Sequence, residues 1–210
     1  MGPLISHITT QDRRGGTRGV TLIEMLFVIG IIAIVVVAAL AIFNTVRASQ
    51  DRSTALLQVS SIRSAVATWA GDKPLDFGQP GGLQRVEQLQ PWLPGRLSGN
   101  PDAESSASKL NLGSANPWDG AYEIGPSQGT TDNHPYRFNL AIRKVPASEA
   151  EALCRQLEDG AAINANGDRL IQLTSDADVA DPAPSEGEST PCALDAESAS
   201  AQVILITYRV

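Results

Sequence analysis

Hydrophobic and polar positions are spread very unevenly along this chain. Met25 to Phe43 is a run of 19 residues without a charged side chain. As a helix, such a run is about 28 Å long, close to the hydrocarbon thickness of a bilayer. A helix packed on a soluble core keeps a polar stripe, and this run has none. Lipid leaves a single segment only the helix for satisfying its backbone. The run therefore predicts a transmembrane helix, its β-branched residues notwithstanding. From Asn44 to Ala70 the pattern changes. Proline and glycine are absent, and Ala55, Val59, Ile62, Val66 and Trp69 recur at spacings of four and three, with Arg52, Ser60, Arg63 and Ser64 off that stripe. Gly71 and Pro74 end it. One long helix is expected, apolar in its first half and amphipathic in its second.

Beyond this helix the periodicity shortens. Residues 71–118 are dense in glycine and proline, with one short helix expected at Leu83–Leu89. The turn Asn116-Pro117-Trp118-Asp119-Gly120 leads into a short strand at Ala121–Ile124. Tyr136 to Arg143 alternates apolar and polar residues, the pattern of a half-buried strand. Ser148–Leu157 reads as a helix, with Ser148 as its N-cap and Glu149 and Glu151 near its positive end. Asn166-Gly167 is a favoured hairpin turn before Leu170–Leu173, and Gln202–Tyr208 is a final strand. The fold class is α+β, a long helix packed on a small antiparallel sheet.

The flanks of the apolar run give it an orientation. Arg13, Arg14 and Arg18 precede it, whereas the nearest downstream charges are Arg47, Asp51 and Arg52. A basic upstream cluster favours a cytoplasmic N-terminus with the rest of the chain outside. A cleaved secretory signal is the competing reading, and Ala38, Ala39 and Ala41 mimic its cleavage site. Its apolar core is shorter, however, at about 7–15 residues. It also has no use for Glu24, a lone acid at the start of the run and costly in hydrocarbon when unpaired.

Gly19-Val20-Thr21-Leu22-Ile23-Glu24, placed between a basic leader and the apolar run, resembles the processing site of type IV prepilins and of the type II secretion pseudopilins. The resemblance implies cleavage after Gly19 by a prepilin peptidase and N-methylation of Val20. It also implies that Glu24 pairs with the amino terminus of a neighbouring subunit during assembly. Glycine at the scissile bond suits close approach of a protease to the backbone. The 19-residue leader, Val20 as first mature residue and the length of the mature chain are similar to type IVb pilins. No proline interrupts the apolar helix, as one does in most type IVa pilins.

On this reading the regions are a leader (1–19), a membrane and assembly helix (20–43), its amphipathic continuation (44–70) and an exported head (71–210). The loop-rich part of the head, 71–118, corresponds to a region that often carries subunit contacts in pilins. Cys154 and Cys192 lie on the exported side, where thiols oxidise. A bridge between them closes a loop of about 39 residues, worth roughly 4 kcal/mol in the chain-entropy model. A C-terminal disulfide of this kind is also expected in type IVb pilins. So is a Cys-bearing helix after the strand that ends at Val145.

The composition removes other classes. The chain has 210 residues, 16 basic and 23 acidic, for a net charge of −7. Phosphate binding needs a basic face, so nucleic acid is not an expected partner. The interval 175–200 holds seven acids and no base, and without a recognised ligand spacing it reads as solvated rather than as a calcium loop. Asn164–Asp168 likewise reads as a turn. His7 falls in the leader and His134 beside Pro135 in an expected turn. Two cysteines and two histidines leave no metal centre, and nucleophile, phosphate-binding and redox motifs are absent, so neither enzyme activity nor a cofactor is expected.

The expected function is a pilin subunit of a bacterial type IVb-like pilus. It is made as an inner-membrane precursor and polymerises with itself or with related subunits. Its partners are the prepilin peptidase, the pilus assembly platform and, before assembly, membrane lipid. The alternatives are a type II secretion pseudopilin or a single-span anchored binding domain that never polymerises. Glu24 separates the last of these, since a simple anchor has no role for it.

Overall fold

The structure is a computed structural model. It describes residues 21–71, 73–77, 79–95, 97, 109–114, 116–128, 133–163, 169–175, 192–193 and 202–210. The expected α+β architecture is present. A single helix, α1, runs from Leu22 to Ala70, 49 residues. The expected stop follows: Gly71 adopts φ +52°, a left-handed conformation that glycine takes without strain, and its N–H donates to the Ala67 carbonyl at 3.0 Å. The chain divides into two compact units, one ending at Thr45 and one beginning at Val46.

The second unit is built on one antiparallel sheet. Its strands are β1 (Leu110–Ser114), β2 (Ala121–Gln128), β3 (Asn133–Val145), β4 (Ile171–Thr174) and β5 (Gln202–Arg209), in the spatial order β1-β2-β3-β5-β4. Helix α2 spans Ala147–Glu158. Alternation places Tyr122, Ile124, Phe138, Leu140, Ile142, Ile204, Ile206 and Tyr208 on one sheet face. There they share a core with Ala55, Val59, Ile62 and Val66 of α1 and with Leu153 and Leu157 of α2. The expected stripe on α1 is thus buried, with Trp69 partly so, and Ala65 and Ala70 join it. Polar contacts fix the helices to their neighbours. The Tyr122 hydroxyl and Gln58 Oε1 lie 2.8 Å apart. Arg52 Nε meets Glu149 Oε2 at 2.8 Å, joining α1 to the first turn of α2. Burial pushes the Tyr208 hydroxyl well above its ordinary range, against the opposing pull of Arg63, whose guanidinium lies 5.2 Å from the ring centroid.

Several local expectations change. Leu83–Leu89 is not a helix. Within that range Val86–Gln88 forms a 3-10 turn after an extended entry at Arg85, and a second 3-10 turn, Gln90–Trp92, follows with Pro91 at its second position. Ser148 does not cap α2. The helix starts one residue earlier, with Pro146 at the N-cap position, and the Pro146 carbonyl accepts from the N–H groups of Glu149 and Ala150, each at 2.9 Å. Strand β1 was not anticipated. It is a short edge strand with a bulge between Asn111 and Ser114, where Gly113 takes φ +76°. Strand β2 runs on through Pro126. Among the described residues its pairing with β1 ends at Ile124, and there Pro126 is paired only with β3, through Phe138.

The turn at Asn116–Gly120 forms as expected. Asn116 Oδ1 accepts from the N–H groups of Trp118 and Gly120, while its amide donates to the Arg143 carbonyl at 2.6 Å. A side chain on Gly120 would collide with that same carbonyl. The Asn166-Gly167 turn lies outside the described residues, flanked by an antiparallel bridge between Ile163 and Arg169. The acidic interval lies almost wholly outside them, and His134 lies on β3.

Candidate functional site: the start and apolar half of the long helix

The first described residue, Thr21, starts α1. Its carbonyl accepts from the N–H groups of Glu24 and Met25, at 3.1 and 3.2 Å, and its hydroxyl accepts from the Glu24 N–H at 3.4 Å. Thr21 is therefore the N-cap and Glu24 the third helical residue. Thr-Leu-Ile-Glu has the spacing of a capping box, in which a threonine and an acid satisfy the open donors of a helix start. Glu24 also stands in the first turn, where the helix dipole favours negative charge. The sequence reading gave this acid one task and overlooked its local one, although the S/T-x-x-E signature was there to find. Gly19 and Val20, like the basic leader, lie outside the described residues.

The apolar half follows immediately. From Leu22 to Arg47 every residue is exposed, including Phe27 at 71%, Ile34 at 72% and Phe43 at 62%. The apolar surface continues all round the helix, and its first-turn acid is Glu24. By length and composition the helix is able to cross a membrane. A fully apolar cylinder of this kind is stable in lipid or among other such helices, and not in water. Thr45 turns its hydroxyl back to the Ala41 carbonyl at 3.2 Å, a way of hiding a polar group that is common in apolar helices.

Cys154 and Cys192 are joined by a disulfide, with Cα atoms 5.6 Å apart. It ties α2 to the segment that precedes β5. Among the described residues no cluster of three or more His, Cys, Asp or Glu side chains gathers where a metal ion would sit. Among the described residues the most buried charged group is Glu123, at 5% exposure, held by Lys109 at 3.1 Å and Arg143 at 2.6 Å. A carboxylate so enclosed needs such partners, and this arrangement reads as structural.

Comparison with known proteins bears on the N-terminal segment. No curated protein matches the chain. A family model described as the prokaryotic N-terminal methylation motif matches residues 14–40, from the basic leader through Gly19, Val20 and Glu24 into the apolar half of α1. Such a leader implies processing by a prepilin peptidase, and over this segment the chain is similar to the precursors of type IV pilins and pseudopilins.

Proposed function

We propose that this protein is a structural pilin subunit, cleaved between Gly19 and Val20, that polymerises into a type IVb-like pilus. The observation that carries the reading is the apolar half of α1, exposed on all sides and opened by a single acid. As a precursor, this surface sits in lipid. In a polymer, it meets the same surface on neighbouring copies. The new α-amino group of Val20 would lie four positions before Glu24 in the sequence, and the amine of a neighbouring chain would give that carboxylate a cationic partner. Moving from lipid into a bundle of helices leaves Glu24 without water, so a cationic partner is what makes the move affordable. Contacts between different surfaces of successive subunits do not close and so extend into a fibre.

The test is mass spectrometry of filaments sheared from cells that express the full chain. A subunit beginning at methylated Val20 is expected. Glu24→Gln keeps size and hydrogen bonding while removing charge. It should insert and be cleaved, yet enter filaments poorly, and Glu24→Val should behave alike. If both variants polymerise as wild type does, the pairing is wrong. If the processed wild-type chain stays in the membrane and never reaches a surface filament, the pilin reading fails, and the secretion pseudopilin or the anchored domain takes its place.

A further inference from the structure

The sheet places two arginines where its own pairing disfavours them. Arg137 on β3 and Arg209 on β5 are direct cross-strand partners. Both side chains therefore leave the same face, and like charges so placed repel. The next row on that face shows the contrast: there Thr207 and Asn139 satisfy one another, Oγ1 to Oδ1, at 2.7 Å. Arg209 is exposed, and Arg137 donates from Nη2 to the Ile163 carbonyl at 3.2 Å. Neither arginine has a carboxylate partner among the described residues. Beside Arg137, which donates to its carbonyl, Ile163 remains in solvent at 47% exposure. Arginine is a residue that interfaces favour.

The complementary charge is tethered at the other end of the sheet. The seven acids of 175–200 match the net charge of −7, and the other 16 acids balance the 16 bases. Strand β4 ends at Thr174, opposite Val203, and β5 begins at Gln202, so the acidic stretch leaves and returns at one sheet end. Cys192, between them, is held to α2. Arg209 lies six residues beyond Val203 along β5, about 20 Å away.

We propose that Arg137, Ile163 and Arg209 form a docking surface for the acidic stretch 176–197 of a second copy of this chain. Arginine–carboxylate pairing there relieves the cross-strand repulsion and is strong when bidentate. Joining one end of a head to the opposite end of the next is a heterologous contact, which extends rather than closes. The proposal rests on the polymerisation reading.

Its test uses the full chain in cells that assemble it and reads the yield of sheared filaments. R137E/R209E and D176K/D178K/D181K should each lower the yield at least tenfold, with the precursor still cleaved and Cys154–Cys192 still oxidised. The chain carrying both sets should recover most of the yield. If R137E/R209E fails to accumulate, R137Q/R209Q carries the test and should lower the yield in the same direction by a smaller factor. Wild-type filaments whose yield is the same in every variant overturn the docking alone, as does a combined chain that stays as impaired as its parents. Absence of wild-type filaments overturns the polymerisation reading and the docking with it. The amine introduced by Arg209→Lys gives a second readout. Carbodiimide treatment of filaments mixed from light and heavy isotope-labelled chains should join position 209 of one chain to an acid within 176–197 of another. Cross-links found only within single chains overturn the proposal.

Discussion

The two halves of α1 are made of one continuous helix and obey opposite rules. In the first, Leu22 to Thr45, apolar side chains point in every direction and all are exposed. In the second, Val46 to Ala70, one apolar stripe is buried in the core shared with the sheet, while Leu57 stays exposed off it. Helical propensity does not distinguish them, because both are helix. What differs is the medium each is written for. The second half finds its apolar partner in its own chain. The first finds none among the described residues, and its all-round apolar surface suits lipid or other apolar helices. A helix that reads as overly hydrophobic is thus a statement about surroundings, not about fold.

The largest effect should come from stopping the first half at its processing step. In Gly19→Val, all of the chain is expected to remain full-length precursor in the membrane, with the head folded and oxidised. The N-terminal mass of the membrane-extracted protein checks this, and normal maturation would break the reading of the leader. Next is a change confined to the second unit. Cys154→Ser removes the bridge and should lower the stability of the head by about 4 kcal/mol. Denaturant unfolding of the detergent-solubilised chain measures it, and an unchanged midpoint would show that the bridge constrains nothing. A matched pair of truncations then sets one half against the other. Ile62→Ala opens a cavity in the core and should lower head stability by about 3 kcal/mol. Ile34→Ala, the same deletion in the apolar half, should leave the head's unfolding midpoint where it was. Equal losses from both would mean that the halves are not independent. The smallest effect is expected of Tyr122→Phe. It removes the 2.8 Å contact with Gln58 and keeps the ring, for a loss of about 1 kcal/mol by thermal unfolding.

Much of the fold was legible because its signals are periodic and long. The 49-residue helix, the strands around Phe138 and Ile204 and the helix around Leu153 each repeat their pattern often enough to outweigh chance. What escaped is set by context. β1 contributes a few residues at a sheet edge and is bent by Gly113, so its alternation is too brief to stand out among turn formers. Pro126 reads as a strand breaker, yet it pairs with Phe138 of β3, a long-range partner that local pattern does not reveal. Ser148 is the better capping residue by type, yet Pro146, joined directly to β3, fixes where the chain turns into the helix. The candidate site divides in the same way. Gly19, Val20 and Glu24 carry a local motif that needs no tertiary structure. The facing of Arg137 and Arg209 depends on β3 pairing with β5 across the 56 residues between Val145 and Gln202, none of which announces the register.

Strand β5 is the last strand along the chain but lies inside the sheet, between β3 and β4. Synthesis delivers β1 to β4 first, so for a time β3 and β4 each present an open edge and the core lacks Ile204, Ile206 and Tyr208. Nothing earlier in the sequence can fill that gap, because the bonds on both sides of it belong to Gln202–Arg209. Completion of the head is therefore a single late event rather than a gradual one. A head that has not yet docked β5 differs from a finished one by those two bare edges.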